Sequence, residues 1–249
     1  PAGQAGEWVA RLAERGIDAA ALPLLEIAPA PDEQAVRRAW HGLSARALVV
    51  FVSPSAVERF FALQPAELGW PADTLAGSIG PGTTRALQRA GVPPSRIVAP
   101  AADAAQFDSE SLWQQLRLQR WTDRAVLFAR GDGGRDWLAD RLREAGAQVA
   151  ALAVYRRGAP ELDAPRGGLL AAAWGAPPAR LCFFGSAGGT PPRGARAGAR
   201  HWNEAQALAT HPRIAQRARA LGIARVHESR ADFESVVACI LALASNATA

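Results

Sequence analysis

The chain has no lysine and no methionine, so all 28 of its basic Lys/Arg positions are arginine. Without lysine there is no Schiff-base amine and no phosphate-loop lysine, which removes two large classes of enzyme chemistry. Cysteine is nearly absent as well. Cys182 and Cys239 alone cannot build a disulfide framework, and no Cys-x-x-Cys or Cys/His cluster suggests a metal. His41, His201, His211 and His227 lack ligand spacing too, so neither a metal nor a cofactor is expected. No apolar run approaches the roughly 20 residues of a membrane span, and no signal peptide is visible, so the expectation is a cytoplasmic protein that does not engage the membrane. The arginines are scattered without a basic block, which argues against nucleic acid as a partner. The turn Gly131-Asp132-Gly133-Gly134 lacks Gly-x-Gly-x-x-Gly spacing, and no Gly-x-Ser-x-Gly elbow occurs. Nicotinamide, flavin and serine-hydrolase readings therefore have no support.

What is present points to a well-packed chain. Of 249 residues, 49% are hydrophobic and only 20% charged, enough to bury one large core or two small ones. A net charge of +5, carried by arginine, fits an anionic ligand gripped in bidentate fashion. GC-rich coding is the plainer source of the same excess.

The two halves echo each other. Leu12, Gly16 and Leu22 recur as Leu142, Gly146 and Leu152, 130 residues later. Pro81, Gly91 and Val92 recur as Pro212, Gly222 and Ile223, at an offset of 131, and Phe51-Val52-Ser53 as Phe184-Gly185-Ser186, at 133. A duplicated α/β unit implies two lobes, with a small-molecule site in the crevice between them.

Strand and helix patterns alternate along the chain, which predicts parallel sheets with helices on both faces. The pattern places helices over 5–15, 32–43, 108–118, 135–145, 212–221 and 231–244. Strands are expected near 19–26, 47–52, 76–79, 96–99, 125–129, 147–155, 181–184, 206–210 and 223–227. The first helix begins almost at once, so the natural chain is expected to start upstream with a further strand. Residues 185–200 have no apolar side chain larger than alanine and cannot form a packed helix; a mobile loop and a reading-frame slip both account for them. The order of the repeats suggests one lobe inserted in the other. Residues 1–30 and 160–249 would form the first lobe and 36–152 the second, with a two-strand hinge at about 26–35 and 153–160. A monomer is the mild expectation for such a chain.

Ligands of open α/β sheets sit outside the carboxyl ends of the strands. Five turns there combine small or hydroxyl residues with a helix start: Ser53-Pro54-Ser55, Gly80-Pro81-Gly82-Thr83, Arg130-Gly131-Asp132-Gly133, Gly185-Ser186 and Thr210-His211-Pro212. Free backbone N–H groups at helix starts favour anions, although Ser and Thr there are more often plain caps. Tyr155 is the only tyrosine. It closes a strand beside Arg156 and Arg157, where a phenol could donate a proton and the arginines could hold carboxylates. The plainer reading of such a residue is half-buried packing with its hydroxyl at the surface.

The segments PAGQAGEWVARL…GIDAAALPLLEIAP, VVFVSPSAVERFF, SIGPGTTRALQRAGV, VLFARGDGGRDWLADRLREAGAQVAALAVYRR and LATHPRIAQRARALGI, in that order, resemble the uroporphyrinogen-III synthase family. The likeness spans most of the chain except about 185–202, and the family's opening Thr-Arg-Pro strand would survive only as Pro1. It implies two α/β lobes joined by a two-stranded ladder, one inserted in the other, working without a cofactor. The implied substrate is hydroxymethylbilane, a linear tetrapyrrole with eight carboxylate arms. It would lose water, invert ring D through a spirocyclic intermediate and close to uroporphyrinogen III. By position, Tyr155 matches the tyrosine thought to assist departure of the hydroxyl. Ser53, Thr83 and Ser186 match cleft hydroxyls, with Pro54 and Ser55 alongside. Backbone N–H groups at Gly82, Gly131, Gly133, Thr210 and His211, together with Arg130, would hold carboxylates. Two rivals remain: a two-lobed cytoplasmic small-anion binder without catalysis, and an inactive relative of the synthase.

Overall fold

The computed structural model describes residues 2–23, 25–158, 167–169, 181–184, 206–220 and 222–247. Within it the chain divides into two compact units, Pro1–Glu26 with Gly158–Ala249, and Ile27–Arg157.

In the unit of residues 27–157, six strands are ordered β1-β6-β5-β2-β3-β4. They are β1 (Glu26–Ala28), β2 (Leu48–Phe51), β3 (Leu75–Ser78), β4 (Ile97–Val98), β5 (Ala125–Gly131) and β6 (Gln148–Gly158). The chain passes between the units within β1 and β6, which are neighbours in this sheet. Strand β2 pairs parallel with both β3 and β5, and its Leu-Val-Val-Phe is buried throughout, as a strand covered on two faces must be.

Alternation along β2 and β5 sorts the core into two layers. Val49, Phe51, Leu127 and Ala129 face α2 (Glu33–His41), α3 (Pro54–Phe61) and α4 (Pro81–Arg89), with Trp40, Phe60 and Leu87 among the covering side chains. Leu48, Val50, Val126 and Phe128 face α5 (Ser109–Leu116) and α6 (Trp137–Glu144), through Leu112, Leu116 and Leu142. Helices on both faces of a parallel sheet are what the alternation of sequence patterns predicts. Trp40 stacks on Phe60 at 4.7 Å between centroids and donates its indole N–H to the Phe60 carbonyl at 2.9 Å. Fully burying one such aromatic stabilises the fold by roughly 1.5–3 kcal/mol.

In the other unit, β7 (Leu181–Phe184), β8 (Gln206–Ala209) and β9 (Arg225–Glu228) form a parallel three-stranded sheet ordered β7-β8-β9. The helix α7 (Pro212–Ala220) packs Ala218 against Ala207, and Ile214 and Ala215 against Ala209. There α1 (Ala2–Ala13) meets α8 (Phe233–Ala247) through Leu12, Phe233 and Val237.

The repeated glycines do the same job four times. Gly16, Gly91, Gly146 and Gly222 adopt positive φ of 70°, 86°, 91° and 94°, each just past a helix. In each case the next N–H reaches back into that helix: Ile17 to Leu12, Val92 to Leu87, Ala147 to Leu142 and Ile223 to Ala218. This is the left-handed C-terminal cap that glycine makes at little cost. The strand expected near 19–26 differs. Among the described residues only Glu26–Ala28 is strand there, and 17–23 is irregular. Pro23 lacks the N–H that a ladder needs.

Candidate functional site

Parallel pairing sets the carboxyl ends of β2, β3 and β5 side by side along one rim of the six-stranded sheet, and the turns that leave them carry most of the expected site. After β2, the Ser53 backbone is extended and its Oγ accepts the Ala56 N–H at 3.1 Å, so Ser53 caps α3 with Pro54 as the first helical residue. Ser55 is buried behind it. After β3, Gly80 opens α4 with no side-chain cap, which leaves the N–H groups of Gly82 and Thr83 without one. A Cβ on Gly82 would lie 3.4 Å from Pro54 Cγ, so these two turns touch. Thr83 is buried, and its hydroxyl has no hydrogen-bond partner among the described residues.

After β5 comes the glycine-rich turn. Arg130 donates from Nη1 to Asp136 Oδ1 at 2.5 Å, which ties the turn to the start of α6 and engages that guanidinium. The space around Gly133 is open. Gly131 is different: a Cβ there would lie 2.8 Å from Tyr155 Cε2 and 3.0 Å from Cζ. Only glycine lets the β5 backbone approach the phenol ring so closely.

Tyr155 reaches this rim through an irregularity in β6. Arg130 pairs with Ala153, but Gly131 pairs with Tyr155, so β6 spends one extra residue there. The bulge breaks the alternation of sides. Val154 and Tyr155, consecutive in sequence, therefore join the same core layer. The Asp132 N–H donates to the Tyr155 carbonyl at 3.1 Å, and the Arg157 N–H to Asp132 Oδ1 at 3.4 Å. Tyr155 is 1% exposed. It is not the half-buried strand end with a surface hydroxyl that the plainer reading expects, because its hydroxyl lies 3.2 Å from Ser53 Oγ and 3.1 Å from Arg157 Nη2. The Arg157 guanidinium carbon lies 5.6 Å from the phenol ring centre.

The structure thus brings Ser53, Gly131 and Tyr155 into contact and places Pro54, Ser55, Gly82, Thr83, Arg130 and Gly133 in the turns of the same rim. Thr210 and His211 occupy the equivalent turn of the three-stranded sheet in the other unit, where His211 Nδ1 accepts the Arg213 N–H at 3.1 Å. Ser186 lies outside the described residues, as does the segment 185–200. Two features escape a reading of the sequence: the hydrogen bond from Arg157 to the phenol, and the hydroxyl pair in which Thr84 donates to Ser78 at 2.9 Å. Burial pushes the Cys182 and Cys239 thiols up, which disfavours a thiolate nucleophile at either position. Among the described residues no group of three or more His, Cys, Asp or Glu is placed to hold a metal ion, and no helix is long and apolar enough to cross a membrane. A phenol bonded to a cation, beside uncapped helix N–H groups, can give up a proton and receive an anion.

Comparison with known proteins narrows the chemistry. A family model described as "Uroporphyrinogen-III synthase HemD" matches residues 6–238. The uroporphyrinogen-III synthase of Proteus mirabilis is 29% identical over 160 residues, covering 63% of this chain and 76% of that protein. Among solved structures, a mutant uroporphyrinogen III synthase of the extremely thermophilic bacterium Thermus thermophilus aligns with a TM-score of 0.57 at 18% identity, over 96% of this chain and 94% of that one. The uroporphyrinogen-III synthetase of Helicobacter pylori aligns with a TM-score of 0.52 at 17% identity, over 88% and 91%. At these identities the two crystal structures speak for a shared fold.

Proposed function

This chain belongs to the uroporphyrinogen-III synthase family of tetrapyrrole biosynthesis, and we propose that it cyclises hydroxymethylbilane, with inversion of ring D, to uroporphyrinogen III and water. The reaction makes three physical demands. The terminal hydroxyl must be helped to leave, giving an azafulvene cation. The flexible tetrapyrrole must be held so that the substituted end of ring D is attacked. Water must be kept from quenching the cation.

One observation supports the first demand above others: the only phenol of the chain is buried on the rim with its oxygen hydrogen-bonded to a hydroxyl and a guanidinium. Tyr155 supplies the proton that turns the departing hydroxyl into water. The uncapped start of α4, through the N–H groups of Gly82 and Thr83, receives a carboxylate arm. The Thr83 hydroxyl, the backbone at Gly131 and Gly133, and Arg130 serve neighbouring arms; Thr210 and His211 are the corresponding candidates of the other unit, taken by itself. Catalysis is mostly conformational, because the linear substrate closes unaided to the type I isomer.

The test is to supply freshly made hydroxymethylbilane and resolve type III from type I uroporphyrin after oxidation. Type III product is expected. Type I alone at the uncatalysed rate would leave a binder of small anions or an inactive relative, and would end the synthase reading.

A further inference from the structure

We propose that the proton reaches the leaving hydroxyl through Ser53, in a hydrogen-bond chain that runs from Arg157 to Tyr155 to Ser53, with Arg157 as the positioning residue that sets its resting direction. The inference deepens the cyclisation reading and rests on it. A guanidinium has N–H donors and no acceptor, so at 3.1 Å the Tyr155 oxygen can only accept from Arg157. That contact favours pointing the phenol proton toward the other neighbour of the oxygen, Ser53 Oγ at 3.2 Å. Ser53 Oγ already accepts the Ala56 N–H at 3.1 Å. With Tyr155 as second donor its two acceptor places are filled, and its own O–H remains for a partner outside the protein. Exposure agrees with this order, since Tyr155 is 1% exposed whereas Ser53 is partly open.

The sequence explains why the three groups meet. The bulge at Val154 turns Tyr155 onto the α3 side, and normal alternation after it brings Arg157, two residues on, to the same side. Gly131 leaves room for the ring. Among the described residues the Arg157 guanidinium meets no carboxylate, so its charge is directed at the phenol oxygen.

The step balances. The Ser53 O–H bond breaks as a new O–H forms on the substrate hydroxyl, and the C–O bond breaks with its electron pair going to the departing water. The pyrrole nitrogen supplies the electron pair that forms the azafulvene cation. Tyr155 passes its proton to Ser53 and remains as a phenolate against the Arg157 guanidinium. The ring D carbon attacked first already bears its methylene and carries no proton. Once the spirocyclic intermediate has opened and the last bond forms at the unsubstituted α-carbon of ring D, that carbon loses its proton, which returns along the same chain.

A double-mutant cycle on the full chain tests this, with kcat and KM for type III formation as readout. Arg157→Met should lower kcat about tenfold, a scale set by hydrogen bonds to charged groups, and leave KM within about twofold. Ser53→Ala should lower kcat about as far as Tyr155→Phe does, whereas Ser53→Thr, which keeps both hydroxyl and cap, should stay within about threefold of wild type. In the Tyr155→Phe background neither Arg157→Met nor Ser53→Ala should cost more than about twofold further, because the chain is already cut. A role for Ser53 in capping alone, or a carboxylate-binding role for Arg157, would add its full loss in both backgrounds, and a raised KM for Arg157→Met would likewise overturn the inference. Because Tyr155 is the sole tyrosine, labelling tyrosine with 13C at Cζ gives one signal for the phenol. That signal should move in Arg157→Met and in Ser53→Ala; if it stays put in either, the wiring is wrong whatever the kinetics. Absence of type III product from the wild type would instead remove the cyclisation reading, and the delivery step with it.

Discussion

Between β3 and α4 the chain turns on Ile79 and Gly80; between β8 and α7 it turns on Thr210 and His211, 131 residues later. Both helices begin with proline, Pro81 and Pro212, and both are stopped by glycine in the left-handed region, Gly91 and Gly222. The backbone corner has been built twice. Its side chains have not. Ser78, Thr83 and Thr84 stand where the second corner has Ala209, Ile214 and Ala215. Thr83 is 3% and Ile214 8% exposed, so an apolar side chain satisfies the packing and the hydroxyl of Thr83 serves something else. The helix starts differ too: Gly80 offers no cap, whereas His211 Nδ1 occupies the Arg213 N–H. What the corners share is scaffold. What distinguishes the first is a set of hydroxyls, of which Ser78 and Thr84 hold the turn through each other and the Gly80 carbonyl, while that of Thr83 has no hydrogen-bond partner among the described residues.

The sharpest way to break this contrast is to disable the better equipped rim. Tyr155→Phe keeps the ring that packs against Gly131 and deletes the proton, so type III formation should fall tenfold to a hundredfold, the low end for losing a general acid. His211→Ala on the other rim keeps the backbone N–H groups, and the loss there should stay below about threefold. Equal losses from the two substitutions would abolish the distinction. Gly131→Ala should approach the Tyr155→Phe loss with the phenol intact, because the new Cβ at 2.8 Å from Cε2 displaces the ring. Chromatographic separation of type III from type I product reads all three.

Much of the scaffold was legible beforehand. The buried run Leu48–Phe51, the helix start at Ser53 and the recurring glycines at 91 and 222 announce themselves through an unbroken apolar stretch and turn chemistry, which are local properties. The rim turns were legible for the same reason. The bulge in β6 was not, because it exists only in the register between β5 and β6, and an unbroken strand would have put Tyr155 on the opposite face. The contact of Gly131 with the ring and the bond from Arg157 to the hydroxyl both follow from that bulge, so they were hidden with it. The strand expected near 19–26 failed because its repeat partner, β6, lies beside β5, and the pattern alone does not show whether a neighbour is there.

The repeated helix ends allow a second contrast. Gly16 and Gly146 occupy equivalent places after α1 and α6 at φ of 70° and 91°. Alanine at either must bear the left-handed conformation, about 1–2 kcal/mol. At Gly16 nothing lies within 4 Å of the new Cβ, but at Gly146 it would lie 3.1 Å from Thr122 Cα, a backbone atom that cannot turn aside. Gly146→Ala should therefore cost about 2–3 kcal/mol in urea unfolding and Gly16→Ala about 1 kcal/mol. A smaller effect is expected at Thr83. Thr83→Val gives the first corner the apolar character of the second, so it should raise the unfolding midpoint slightly while lowering type III formation about threefold. A variant that loses stability and keeps full activity would show that the hydroxyl was structural after all.

The smallest effect separates capped from uncapped helix starts inside one unit. Asp32 caps α2: the Ala35 N–H reaches its Oδ1 at 2.8 Å and holds the carboxyl below its ordinary range, with the Arg38 guanidinium 3.2 Å away adding to the same shift. A depressed folded value means that Asp32 stabilises the fold fully above its unfolded value of about 3.9 and loses that contribution as the pH falls through the lower folded one. Asn caps a helix without a charge, so Asp32→Asn should be slightly less stable than wild type at neutral pH, and the gap should close in acid. A gap that widened in acid would reverse the sign and refute the assignment. The α4 start has no such titrating cap to lose. A Cβ at Gly80 would press on Phe107 Cβ at 3.3 Å, so no cap side chain fits without a shift. The same crowding keeps the N–H groups of Gly82 and Thr83 available to an anionic arm of the substrate.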